Sequence, residues 1–548
     1  MNNSHTKLTD DYFDYIAKCF PVMCASDEFD FLPRAQKATQ YYDQVDSLDR
    51  SAIEQCLSFL REFQNRCDVA TSNETDLERF IDLALLKANA SGVLIEFETK
   101  KSWRHNPLLY LKIAFIGLDH ALTKPASGPE ERTERTWARL RAIPRLLKQA
   151  IDNIDTVPMT YHQASLDMIG DCKVYLHEIS KEFINDGLGD VNEELQKTLK
   201  ALETVEQFLR SHPPIPDQTF VLFALETTLR DHFSSTRSLS EIFEIAQEEW
   251  SHSLEQLNKL QADVDPDKSW RALYHAYSPS DIYGKDTISL YKHEIERLER
   301  FFRNHGFRGF DLSSSLELCE TPTYLRSVRS SASFSAALTA DPMERDVFYI
   351  TTQFTEQRGE EAADLVKRRL HREYKFLAAH ETFPGHHLLD SVRRKLDNPI
   401  RRQIESPLFY EGWAYYGESL LAEYGYVDNP MDHVVDWKRR LWRAARCQID
   451  VGLTAGMLSR DEAVDLVTAA GFSPIEANYQ IDHFRLNPGY QLCYSLGRYE
   501  IMQLRKTYAK GMDLDQFHRR LLEGGQLPFH LIEKRFEASL QNGIGERS

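Results

Sequence analysis

His380 and Glu381 stand side by side in LAAHETFPGHHLLD, residues 377–390, and two further histidines follow at 386 and 387. Imidazole nitrogens and a carboxylate oxygen are the donors a catalytic zinc takes, three from the protein with a fourth position left for water. In the HExxH arrangement the two histidines share a helix face, and the glutamate between them sits beside the bound water. Here Pro384 occupies the place of the second histidine. On an unbroken helix His386 would lie about 240° round from His380, on the wrong side; His387 would lie on the right face but about 10 Å along the axis. Pro384 cannot donate to the carbonyl of His380 and its ring clashes there, so the helix must kink or bulge. Gly385 adds freedom for a turn of the chain. A looped-out turn lets His386 take the place of the second histidine, with His387 directed elsewhere, toward substrate. His387 reaching the metal across a kinked turn is the alternative.

The third donor is expected from the next helix. Residues 405–426, ESPLFYEGWAYYGESLLAEYGY, carry Glu411, with Glu418 two turns later on the same face. Among Phe409, Tyr410, Trp413, Tyr415 and Tyr416 a lone buried carboxylate would be costly, which favours Glu411 as a ligand. Glu418 suits a supporting role, accepting the free N–H of a ligand histidine. Glu381 is then the carboxylate that takes a proton from the water. Arg443, Arg446 and Asp450 lie at helical spacing and suit either an internal ion-pair network or the binding of a substrate carboxylate.

These residues need helices to hold them, and helical periodicity dominates the chain. In DRSAIEQCLSFLREFQNRC, residues 49–67, Ile53, Cys56, Leu57, Leu60 and Phe63 form one apolar stripe. Similar stripes recur at 76–90, 107–121, 131–152, 191–212 and 238–261, and Ser238 with Glu241 forms a capping-box pattern. The stretch 312–352 differs. LELCE at 316–320, SASFSAAL at 331–338 and VFYITTQ at 347–353 carry alternating, β-branched and aromatic residues, which predicts a small sheet just before the motif. The expected fold is mainly α, a large multi-helix body with that one sheet. DVDPDKSW at 263–270 offers a boundary between an N-terminal helical lobe, 1–265, and a catalytic lobe, 266–548, which could also form one continuous domain.

Composition narrows the function classes. The 548 residues carry a net charge of −18, which disfavours nucleic acid and anionic membranes as partners. The eight cysteines are scattered without a CxxC pair, giving no zinc-ribbon or redox signature. No signal-like start and no long apolar run is evident, so a cytoplasmic location is expected. GxSxG, P-loop and dinucleotide fingerprints are missing.

HETFPGHHLL followed by EGWAYYGESL resembles the large, mostly bacterial family of domain of unknown function 885, grouped with the zincin metallopeptidases. LWRAARCQIDVG at 441–452, NPGYQLCYSLGRYEIMQLR at 487–505 and FHRRLLEGGQLPFHLIEKRF at 517–536 are similar to its later segments. The resemblance implies a gluzincin-like helical body, zinc on His380, His386 and Glu411, Glu381 as general base, and Tyr494 as hydrogen-bond donor to an oxyanion. Thr454, His483, Phe484 and Tyr490 depart from the family pattern, and all four lie outside the implied ligand set.

Together these readings lead to a zinc-dependent hydrolase of peptide or related amide bonds, with iron or manganese as alternative metals. A metal-dependent enzyme of small-molecule chemistry and an inactive helical interaction protein are the competing classes.

Overall fold

The computed structural model describes residues 2–185, 191–217, 221–279, 286–353 and 360–545. Apolar stripes become helices where they were expected. The 49–67 stripe lies in the helix Arg50–Thr71, which buries Ile53, Cys56, Leu60, Phe63 and Cys67. The later stripes form Leu77–Leu94, Pro107–Thr123, Pro129–Asn153 and Asn192–Ser211. Local chemistry sets their starts. Asp76 accepts from the Arg79 N–H, and Asn106 caps a helix whose first residue is Pro107. Each such cap contributes about 1 kcal/mol.

The chain divides into two compact units. One comprises Met1–Gln218, Thr321–Ser330 and Ala337–Arg345; the other comprises Thr219–Glu320, Ser331–Ala336 and Asp346–Ser548. The division therefore falls near residue 218, and the 263–270 break joins two helices inside the second unit. The reason is packing. Helix α1 (Leu239–Val264), opened by the Ser238–Glu241 capping box, lies along α6 (Pro430–Ala455) and so belongs with it.

The second unit holds α2 (Thr287–Phe302) and a sheet of β1 (Leu316–Glu320), β2 (Ala332–Ser335) and β3 (Asp346–Ile350). The strand order is β1-β3-β2, with β1 parallel and β2 antiparallel to β3. Asp346, Phe348 and Ile350 alternate inward along β3, as a half-buried strand requires. Four further helices complete the surroundings of the site: α3 (Tyr374–Glu381), α4 (His386–Arg394), α5 (Pro407–Glu423) and α7 (Cys493–Tyr508). Helix Glu360–Arg372 comes between the sheet and α3.

Beneath α5, α6 and α7 lies a core that includes Ile242, Ala246, Leu408, Cys447, Val451, Leu492 and Leu496. Truncating a fully buried member such as Leu496 to alanine would cost about 2–5 kcal/mol. Among the described residues, no helix is long and apolar enough to cross a membrane.

Candidate metal centre

The chain does not kink at Pro384; it breaks. Helix α3 ends at Glu381, and the Thr382 hydroxyl closes it by donating to the Ala378 carbonyl at 2.6 Å. The Phe383–Pro384 peptide is cis, and α4 begins at His386. Between the two helices Gly385 runs against the end of α3, its N–H donating to the Ala379 carbonyl at 3.0 Å. A Cβ there would lie 1.8 Å from the His380 carbonyl oxygen, so only glycine fits this approach. Trp413 Nε1 holds the turn from α5 by donating to the Pro384 carbonyl at 2.9 Å.

This break brings His386 back to His380. The two rings stand edge to face with centroids 4.7 Å apart. Glu411 on α5 completes the group, and one ligand atom from each of the three residues lies within 4.8 Å of the others. Glu411 Oε2 is 3.2 Å from His380 Nε2 and 3.6 Å from His386 Nε2. It is buried, and no donor meets it in hydrogen-bonding geometry. His387 points away, its Nε2 3.2 Å from Asp346 Oδ2 on β3. Arg394 and Ser314 also bond that carboxylate. Of the two adjacent histidines, His386 is the one that joins His380 and Glu411.

Each member is held from behind. Glu418 Oε1 lies 2.8 Å from His380 Nδ1, which leaves Nε2 for the cluster. Arg439 at 2.8 Å and Arg443 at 2.5 Å bind Glu418 in turn. Burial alone would raise the pKa of Glu418, but Arg439 and Arg443 hold it well below the ordinary carboxylate range. His386 stacks on Tyr410 with ring centroids 4.0 Å apart. Tyr494 and Tyr490 both donate to Glu411 Oε1, at 2.8 and 2.6 Å, leaving Oε2 to face the histidines. Burial pushes Glu381 up to about 7; His386 pulls it back, and the Glu411 charge adds to the rise.

Close helix packing sets the Glu411–Tyr494 pair. Helices α5 and α7 cross at Gly412 and Gly497, where a Cβ on Gly497 would lie 2.1 Å from the Leu408 carbonyl oxygen. Arg443 and Arg446 on α6 lie over the Tyr494 ring, 4.3 and 4.0 Å from its centre. They form no ion-pair network with Asp450. That carboxylate accepts the Gly489 and Leu492 N–H groups and so fixes the loop carrying Tyr490. Sequence reasoning missed the role of Tyr490; its spacing of one helical turn before Tyr494 was the available signal. Of the other departures, Phe484 packs on Trp442 and under Arg446, while Thr454 is buried near the end of α6.

A mainly helical body with a buried pair of histidines and a glutamate converging on one point defines a class of candidate metalloproteins. The chain belongs to the family described as bacterial protein of unknown function, domain of unknown function 885, whose model matches residues 34–536. No curated protein matches it. Its fold is similar to that of a protein from Shewanella oneidensis described as "a putative lipoprotein of unknown function", with TM-score 0.74, 18% identity, and 97% of this chain and 99% of the other covered. It is similar also to a "putative lipoprotein" from Colwellia psychrerythraea, with TM-score 0.75, 17% identity and coverage of 98% and 99%.

Proposed function

We propose that the protein is a zinc-dependent hydrolase of peptide or related amide bonds. The observation that carries this reading is the unpartnered, buried Oε2 of Glu411, turned toward Nε2 of both His380 and His386. Two imidazole nitrogens and one carboxylate oxygen suit zinc, and the same donors accept iron or manganese. When bound, zinc supplies a Lewis acid that brings the pKa of a water molecule near about 7 and polarises a carbonyl.

The chain's own groups divide the remaining work. Glu381, whose proton affinity burial raises, takes the proton of the attacking water and returns it to the leaving nitrogen. Glu418 keeps the His380 ring turned with Nε2 inward. The Tyr494 hydroxyl, next to Glu411, is the donor that turns to the carbonyl oxygen as negative charge grows there. Strand β2 lies at the edge of its sheet, and its Phe334 N–H is among the groups that pull the Glu381 pKa down. An extended peptide could add to that edge. Tyr490, set on Glu411 where the family pattern differs, favours metal-dependent small-molecule chemistry as the second reading.

Metal analysis of protein purified without a histidine tag tests the centre. Near-stoichiometric metal is expected in the wild type and loss in His380→Ala and Glu411→Ala; equal metal in all three would remove the assignment. Incubation with a mixed peptide library tests the reaction, with cleavage expected from the wild type and absent in Glu381→Gln. Metal-loaded protein that cleaves no peptide would shift the reading to small-molecule substrates.

A further inference from the structure

Two guanidinium groups lie over the Tyr494 ring, and only one of them has a carboxylate. Arg443 is paired with Glu418 at 2.5 Å. Arg446 donates from both Nε, at 2.9 Å, and Nη2 to the single amide oxygen of Gln491, and it also lies against the rings of Phe484 and Tyr494. These partners are neutral. Among the described residues, no carboxylate forms an ion pair with Arg446; the charges of Glu411 and Asp450 act on it only from further off. Taking a guanidinium largely out of water is expensive unless an anion compensates it, and a cation–π contact returns only about 0.5–2 kcal/mol. Arg446 also keeps part of its surface in solvent, so a ligand can reach it.

We propose that Arg446 binds the terminal carboxylate of the substrate, and that the enzyme acts on short peptides or acylated amino acids that end in a free acid. This rests on the amide-hydrolase reading above and names its substrate class. The planar fork of arginine matches a carboxylate through two parallel hydrogen bonds, one to each charged oxygen, whereas Gln491 now meets both donors with one neutral oxygen that a carboxylate would displace. The position fits as well. Arg446 lies against the ring whose hydroxyl meets Glu411, so a carboxylate held there sits close to the bond being cleaved.

Zinc-loaded Glu381→Gln protein, titrated calorimetrically with acetyl-Ala-Ala, acetyl-Ala-Ala-amide and acetyl-Glu-Ala-amide, provides a binding readout independent of turnover. The free acid is expected to bind about tenfold or more tighter than either amide. Adding Arg446→Gln should abolish that preference, and Arg446→Lys should retain part of it. Zinc content and melting temperature of each variant confirm that the site is intact. Equal affinity for acid and amide, or a preference that survives Arg446→Gln, overturns the proposal. Tight binding of the glutamate-containing amide moves recognition from the chain terminus to an acidic side chain and overturns the free-acid requirement. Wild-type hydrolysis of acetyl-Ala-Ala is scored separately: acid preference without cleavage sinks the hydrolase reading alone, and cleavage without acid preference sinks the Arg446 site alone.

Discussion

Glu418 Oε1 lies 2.8 Å from His380 Nδ1, and this contact decides which nitrogen of that histidine faces Glu411. Glu418→Gln keeps the shape of the side chain but loses the charge that Arg439 and Arg443 compensate. Zinc affinity is expected to fall about 10–100-fold, measured by competition with a chromophoric chelator. Unchanged affinity would show that the orientation of His380 is set by packing alone.

The adjacent histidines should separate cleanly. His386→Ala is expected to lose bound metal, because its Nε2 faces Glu411, whereas His387→Ala should keep it, because its Nε2 faces Asp346. Metal content by mass spectrometry of the two purified variants decides the matter. Loss in His387→Ala with retention in His386→Ala would reverse the assignment.

Gly497→Ala places a methyl group 2.1 Å from the Leu408 carbonyl oxygen, so α5 and α7 must move apart. A loss of about 1–3 kcal/mol or more in unfolding free energy is expected. Tyr494 and Glu411 lie on the two separated helices, so zinc affinity should drop with stability. Denaturant unfolding together with a zinc titration checks both, and a variant with wild-type values would mean that the crossing has slack.

The first unit carries its own pH signature. Glu344 is buried and accepts from Lys124 at 2.6 Å and from the Leu338 and Thr339 N–H groups at 2.9 and 2.8 Å. Burial pushes its pKa up, but Lys124 and these donors outweigh it and bring the group to about 2. An unfolded glutamate titrates near about 4.3, so the folded value is depressed. The group therefore contributes about 3 kcal/mol that is present above roughly pH 4.3 and lost as the pH falls toward 2. The stability difference between wild type and Glu344→Gln should shrink over that window in chemical denaturation. A difference independent of pH would contradict the assignment.

Much of the centre was legible because its chemistry is local. His380, Glu381 and His386 sit in one short segment, and Pro384 with Gly385 announces a departure from a continuous helix. Glu411 was readable from its aromatic surroundings, and the strands from alternation at 316–320 and 347–353. The form of the break was less accessible. Sequence suggested a kinked or bulged helix, whereas the fold uses two helices joined through Gly385, because the turn depends on Trp413 reaching in from α5. Tyr490, and the different fates of Arg443 and Arg446, depend on which side chains α5, α6 and α7 bring together. The same holds for the division near residue 218, since α1 is claimed by α6, a partner far along the chain.

The path of the chain between the two units has a practical corollary for anyone dissecting the protein. Segments Thr321–Ser330 and Ala337–Arg345 belong to the first unit, yet they flank β2 in sequence on both sides. A fragment cut at residue 219 would therefore carry pieces of the absent unit spliced between its own strands. Neither unit is obtained whole by one truncation; separating them calls for new linkers from β1 to β2 and from β2 to β3.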